Sequence, residues 1–206
     1  MDTIHTRRSI RRYTTQPIAP ELIDQLLDAA IRAPSAHNRQ PWRFAVVTTP
    51  EVKTKLADAM GHRLRADRLE ERNRVSARNP VSIEAIDRDV ARSHDRIVAA
   101  PVVIIACLSM TDMDHYPDDR RASFERTMAI QSVAASIENM LLTATALGLG
   151  ACWMCAPLFC PDVVRAALDL PNDWEAQALI TIGYPKGADE GKPKDRVDYQ
   201  NITLRR

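Results

Sequence analysis

Apolar residues recur at helical spacing at Leu22, Ile23, Leu26, Leu27, Ala30 and Ile31, between Pro20, suited to the first turn of a helix, and Pro34. An amphipathic helix is predicted there. Between Pro34 and Pro41 the residues Ser35-Ala36-His37-Asn38-Arg39-Gln40 are polar, and the flanking prolines hold the backbone away from regular helix, so an ordered loop is expected. Phe44 to Thr48 reads as a strand, and Pro50 opens a short helix through Val52, Leu56 and Met60. From His62 to Asn79 charges crowd in and large apolar residues are few. The stretch 62–79 reads as a solvated helix or loop, with a charged arm or lid as the alternative. Ile83, Ile86, Val90 and Ile97 then predict a further helix.

The run Val102-Val103-Ile104-Ile105-Ala106-Cys107-Leu108 is continuously apolar and of strand length, the pattern of a central strand buried on both faces. Arg121 to Leu147 is the longest periodic stretch and predicts a long buried core helix, with Gly148 as its left-handed stop. Gly150–Met154 reads as a short strand, Pro161–Leu168 as a helix and Ala178–Gly183 as a strand. Residues 186–206 are charged and poor in large apolar side chains, hence a C-terminal extension outside the core. Strands and helices alternate along one domain spanning 1–206, so the class is α/β or α+β.

Charge narrows the function. The chain has 206 residues with 28 Lys+Arg against 27 Asp+Glu, a formal net charge of +1, which argues against a nucleic-acid binder and for small-molecule work. The polar opening Met1-Asp2-Thr3-Ile4-His5 carries no apolar signal core, and no run approaches a membrane span, so a cytoplasmic protein is expected. The four cysteines, Cys107, Cys152, Cys155 and Cys160, sit in or beside apolar segments and suit a reducing compartment. Cys152-x-x-Cys155 lacks the second ligand pair a zinc site needs, and it lies on a strand and not at a helix N-terminus where a redox thiolate is stabilised, so no metal is expected. Dinucleotide, phosphate-loop and nucleophile-elbow motifs are missing from the sequence.

Three cationic groups remain: Arg7-Arg8-Ser9-Ile10-Arg11, Arg39 with Arg43, and Lys194 with Arg196. Guanidinium forks and hydroxyls of this kind can satisfy several oxygens of a phosphate at once, although each alone is equally a solvated surface group. The opening Arg-Arg-Ser-Ile-Arg, the following Leu-Leu-Asp-Ala-Ala helix, the segment Ala33-Pro34-Ser35-Ala36-His37-Asn38-Arg39-Gln40-Pro41-Trp42, the turn-and-strand Gly148-Leu149-Gly150-Ala151-Cys152-Trp153-Met154 and the late Lys194-x-Arg196 together resemble the nitroreductase-like flavoprotein family. The resemblance implies an α+β fold with a mixed central sheet flanked by helices, an intertwined homodimer, and FMN at the subunit interface. It further implies that Arg7, Arg8, Ser9 and Arg11, with Lys194 and Arg196, hold the phosphate and ribityl chain. Pro34, Ser35 and Asn38 would reach the flavin from the partner subunit, and Trp153, Met154 and Cys155 would line its ring, with a backbone N–H near Cys155 toward N5.

Residues 151–161, 167–171 and 177–185, with Asp112-Met113-Asp114-His115-Tyr116-Pro117, are similar to the C-terminal flavin domain of the coenzyme F-420 gamma-glutamyl ligase. That similarity implies reduction of the dehydro precursor of this deazaflavin. The alternatives are a generalist NAD(P)H-dependent nitroreductase or quinone reductase, and a non-catalytic flavin or deazaflavin binding module.

Overall fold

The computed structural model describes residues 2–74, 82–187 and 195–206. Its centre is strand β2 (Val102–Leu108), buried at every position, as its unbroken apolar run predicts. Around it lie β1 (Trp42–Val47), β3 (Gly150–Met154) and β4 (Glu175–Gly183), in the order β1-β2-β4-β3. Side chains of β2 alternate between two cores. Val102, Ile104, Ala106 and Leu108 pack with α2 (Pro20–Ile31) and α5 (Asp119–Ala146), while Val103, Ile105 and Cys107 face α3 (Pro50–Arg74), α4 (Ile83–Val98) and α6 (Pro161–Leu168). Each fully buried aliphatic side chain contributes about 1.5–3 kcal/mol. The sheet is thus covered on both faces, and a short helix, α1 (Asp2–Thr6), precedes the arginine motif.

The class is α+β, with the long buried core helix in place, but the sheet is not mixed. Among the described residues all neighbouring strands pair antiparallel, and the one parallel pairing is an isolated bridge between Ser9 and Ala151. Alternation of strands and helices does not fix strand direction. Two helices, α3 and α4, join β1 to β2 and return the chain to the end it left, so β2 runs opposite to β1. The single long helix α5 makes β3 run the same way as β2, and β4 inserts between them.

The helix opened by Pro50 is 25 residues long, not short. Its second half carries the charged stretch from residue 62 to 74, held by ion pairs of Arg63 with Asp162 (2.6 Å) and Arg65 with Asp87 (2.8 Å). That part of the supposed arm is a solvated helix packed on α4 and α6; residues 75–79 lie outside the described residues. Among the described residues no helix is long and apolar enough to cross a membrane.

Candidate functional site

Tyr13 fastens the start of the chain to the sheet. Its buried hydroxyl lies 2.5 Å from the Ile10 carbonyl oxygen, 3.0 Å from that of Thr181 and 2.8 Å from the Thr181 hydroxyl. The Ile10 N–H donates to the Ala151 carbonyl (2.9 Å) and the Thr14 N–H to that of Tyr184 (2.8 Å). Two glycines admit this segment. A Cβ on Gly150 would stand 2.7 Å from Ile10 Cβ, and one on Gly183 2.7 Å from Tyr13 Cβ. Residues 9 and 10 therefore run against the free edge of β3, and residues 12–14 against the chain that leaves β4, which brings the arginine motif to that end of the sheet.

Because the Ala151 carbonyl points away from β4, the alternation of an antiparallel ladder turns the Trp153 N–H and C=O the same way. The edge beyond Ala151 is thus open, and Cys155, exposed, follows directly. The Trp153 indole N–H is buried with no hydrogen-bond partner among the described residues, an unmet donor on the face of the sheet that α2 and α5 cover. Met154 packs on the opposite side, against the core cluster that includes Cys160 and Met60. There a cavity of about 310 Å³ opens between α3, α4 and the 3-10 turn Ala156–Phe159.

Arg39, Arg43, Arg63, Arg65 and Arg126 each pair with a carboxylate. Arg7 is half-neutralised, with Nε 3.2 Å from Glu138 Oε1 on α5. Arg8, Arg11 and Arg96 have no carboxylate partner among the described residues. Burial pushes the Cys152 thiol up from its ordinary range, against the pull of the Arg11 and Arg96 charges and of hydrogen bonds from the Arg11 and Ser9 side chains. Arg96, in the last turn of α4, is a cation that the sequence reading missed. It stands among alternating charges in a solvated helix, and only the fold brings it to Cys152.

The other proposed residues are placed unevenly. Pro34, Ser35 and Asn38 sit in or beside a 3-10 turn, Ala36–Asn38, where His37, Asn38 and Gln40 have positive φ. No hydrogen bond or ion pair joins this loop to residues 153–155 among the described residues. Arg196 is exposed and makes no hydrogen bond or ion pair there either, and Lys194 lies outside the described residues. All four cysteines are free; burial pushes Cys107 up to about 12, so that thiol is inert. No group of three or more His, Cys, Asp or Glu side chains among the described residues could hold a metal ion.

A family model described as the nitroreductase family matches residues 4–184. The chain is 29% identical to an NADH dehydrogenase of Thermus thermophilus, across 96% of this chain and 91% of that one. It is 30% identical to a 5,6-dimethylbenzimidazole synthase of Rhodospirillum rubrum, across 95% of this chain and 86% of the relative. Among solved structures, a protein described as a nitroreductase in complex with FMN, from Desulfovibrio desulfuricans, superposes with a TM-score of 0.71 at 25% identity, covering 100% of this chain and 95% of that one. The chain belongs to the nitroreductase family, and is an oxidoreductase.

Proposed function

We propose that the protein is an FMN-dependent oxidoreductase that works as a homodimer, drawing electrons from NAD(P)H and delivering them to a small acceptor such as a quinone or a nitroaromatic. The observation that carries this reading is that Arg11 and Arg96, neither with a carboxylate partner among the described residues, act on the Cys152 side of β3, whose edge is open beyond Ala151. Unpaired guanidinium groups beside a half-covered strand suit a ligand with a dianionic phosphate and a polar ring. The outward Trp153 backbone suits the hydrogen-bonding edge of such a ring. The residues present therefore fit FMN, which when bound supplies a carrier that accepts and returns a hydride at N5.

The chain's own residues bind and orient. Arg7, Arg8, Ser9 and Arg11, with Arg196 and Lys194, neutralise the phosphate and hold the ribityl chain. Arg96 adds positive potential on the Cys152 side of β3, which favours an electron-rich ring. Trp153, Met154 and Cys155 line the ring, and Pro34, Ser35 and Asn38 come from the partner subunit. The dimer is supported by apolar surface that a lone subunit leaves in water: Val197, Tyr199, Ile202 and Leu204 in 195–206 are 61–75% exposed, and Phe124 on α5 is 54% exposed.

The narrower reading, reduction of the dehydro precursor of coenzyme F-420, rests on the sequence resemblance alone. The likeness to a 5,6-dimethylbenzimidazole synthase offers a further product to look for. The deciding experiment isolates the protein, identifies any flavin released on denaturation, and titrates the stripped protein with FMN. A yellow protein that releases FMN is expected; a colourless one that takes up no added FMN overturns the reading. Specificity constants with NAD(P)H against quinones, nitroaromatics and the dehydro precursor, with an assay for 5,6-dimethylbenzimidazole, then rank the substrates. Flavin binding with no turnover of any acceptor leaves the binding-module reading in its place.

A further inference from the structure

The loop between Pro34 and Pro41 keeps its shape against its own backbone preferences. His37 (φ 49°), Asn38 (φ 54°) and Gln40 (φ 49°) all occupy the left-handed region, three non-glycine residues within four positions. Such conformations persist only where the surroundings over-determine them, and they concentrate at ligand clamps.

Here the surroundings are α5. The Ala36 N–H donates to Ser132 Oγ (3.2 Å), whose own proton goes to the Met128 carbonyl (2.8 Å) one turn earlier. The Asp114 N–H donates to Glu125 Oε1 (3.2 Å), and the Asp114 carboxylate is ion-paired with Arg39 of the loop. Ser132 is 5% exposed and Glu125 1%. The two lie two helical turns apart, so one stripe of α5 addresses the loop from both ends. Within the loop the Gln40 N–H donates to Ser35 Oγ (3.1 Å), and Arg43 Nη1 donates to the Gln40 carbonyl (3.1 Å).

What these bonds leave over is specific. Ser35 spends its oxygen as an acceptor and keeps its proton for an outside acceptor. The Asn38 side chain is exposed, with no partner among the described residues, and offers both a donor and an acceptor. A ring edge that alternates carbonyl and N–H groups needs that combination.

We infer that Ser132 and Glu125 are positioning residues: they hold the 35–40 loop in its strained form so that Ser35 and Asn38 are set to hydrogen-bond the polar edge of the flavin. Neither touches the ligand, and the inference rests on the cofactor reading above. Its content beyond that reading is that cofactor affinity is set in part by two buried side chains on α5 which no motif contains.

The test is a double-mutant cycle read by FMN dissociation constant, from quenching of flavin fluorescence, on the full chain. Ser132→Ala raises the constant roughly threefold to tenfold, the size of one net hydrogen bond, and Ser132→Thr, which keeps the hydroxyl, restores it. In an Asn38→Ala background Ser132→Ala adds little, because its effect runs through the loop. Glu125→Gln, which keeps an acceptor for the Asp114 N–H, binds FMN as the parent does, whereas Glu125→Leu does not. Melting temperature is followed in parallel, since a merely structural role lowers it without changing affinity at temperatures far below the transition. If Asn38→Ala weakens FMN binding and Ser132→Ala does not, or if the two effects simply add, the positioning role is wrong while the cofactor reading stands. If the protein binds FMN and Asn38→Ala leaves its affinity unchanged, the loop is no part of the flavin site and both the loop contact and the positioning role are lost.

Discussion

Arg63 and Arg11 have the same side chain and opposite prospects. Arg63 is already satisfied by Asp162 at 2.6 Å, an exposed pair of the kind that contributes about 0–1 kcal/mol. Among the described residues Arg11 donates to the Ser9 carbonyl (3.3 Å) and the Cys152 sulfur and pairs with no carboxylate, so it has charge to spare. Replacing Arg11 by alanine is expected to weaken FMN binding by roughly tenfold or more, since a charge-assisted hydrogen bond is worth about 1.5–3 kcal/mol; Arg63→Ala should leave it unchanged. Calorimetric titration of the stripped protein separates the two, and equal losses would mean that surface potential and not the unpaired arginine drives binding. Cys155→Ser should retain FMN, because the outward strand edge offers backbone groups and not the thiol. Arg7 to Arg11 were legible in the sequence because they are contiguous. Arg96 was not, because it stands in a charged helix far along the chain and only the fold sets its charge against the Cys152 side of β3.

At the level of elements, the apolar run of β2 and the glycine-bounded strand β3 declared themselves by pattern, since burial on both faces and tight backbone approach each leave a local mark. Strand direction and the length of α3 did not. The second half of that helix has few apolar residues, and its helicity comes from packing and ion pairs with α4 and α6. Gly150 tests how the elements are joined. A methyl there meets Ile10 at 2.7 Å, so Gly150→Ala should push the opening segment off β3. The expected result is a loss of about 1–3 kcal/mol of stability in denaturant unfolding, together with weaker FMN retention. A second junction is acid-sensitive. The Ser109 hydroxyl (2.7 Å) and then that of Thr111 (3.2 Å) hold the Asp173 carboxyl below its ordinary range and tie the end of β2 to the turn before β4. A depressed folded-state pKa means that the unfolded chain takes the proton first. The contribution is complete above the ordinary carboxylate range and fades as pH falls through the folded value. Melting temperatures of the parent and Ser109→Ala should therefore differ at neutral pH and converge on acidification; a constant gap would remove the linkage.

For the whole molecule, the exposed apolar residues of 195–206 predict that deleting this segment weakens self-association and FMN retention together. Sedimentation of the deletion variant measures the first and bound flavin the second; a parent protein that is a stable FMN-loaded monomer would contradict the dimer outright. The seat of the arginine motif has a temporal meaning as well. Ile10 and Tyr13 rest on Ala151, Thr181 and the two glycines at 150 and 183, so the first dozen residues find their place only against strands made from the last third of the protein. A ribosome must release the chain past Tyr184 before that cradle exists. Chains that stop short of β4 accordingly emerge without the means to capture a flavin, and pigment in a cell extract reports molecules that have passed that point.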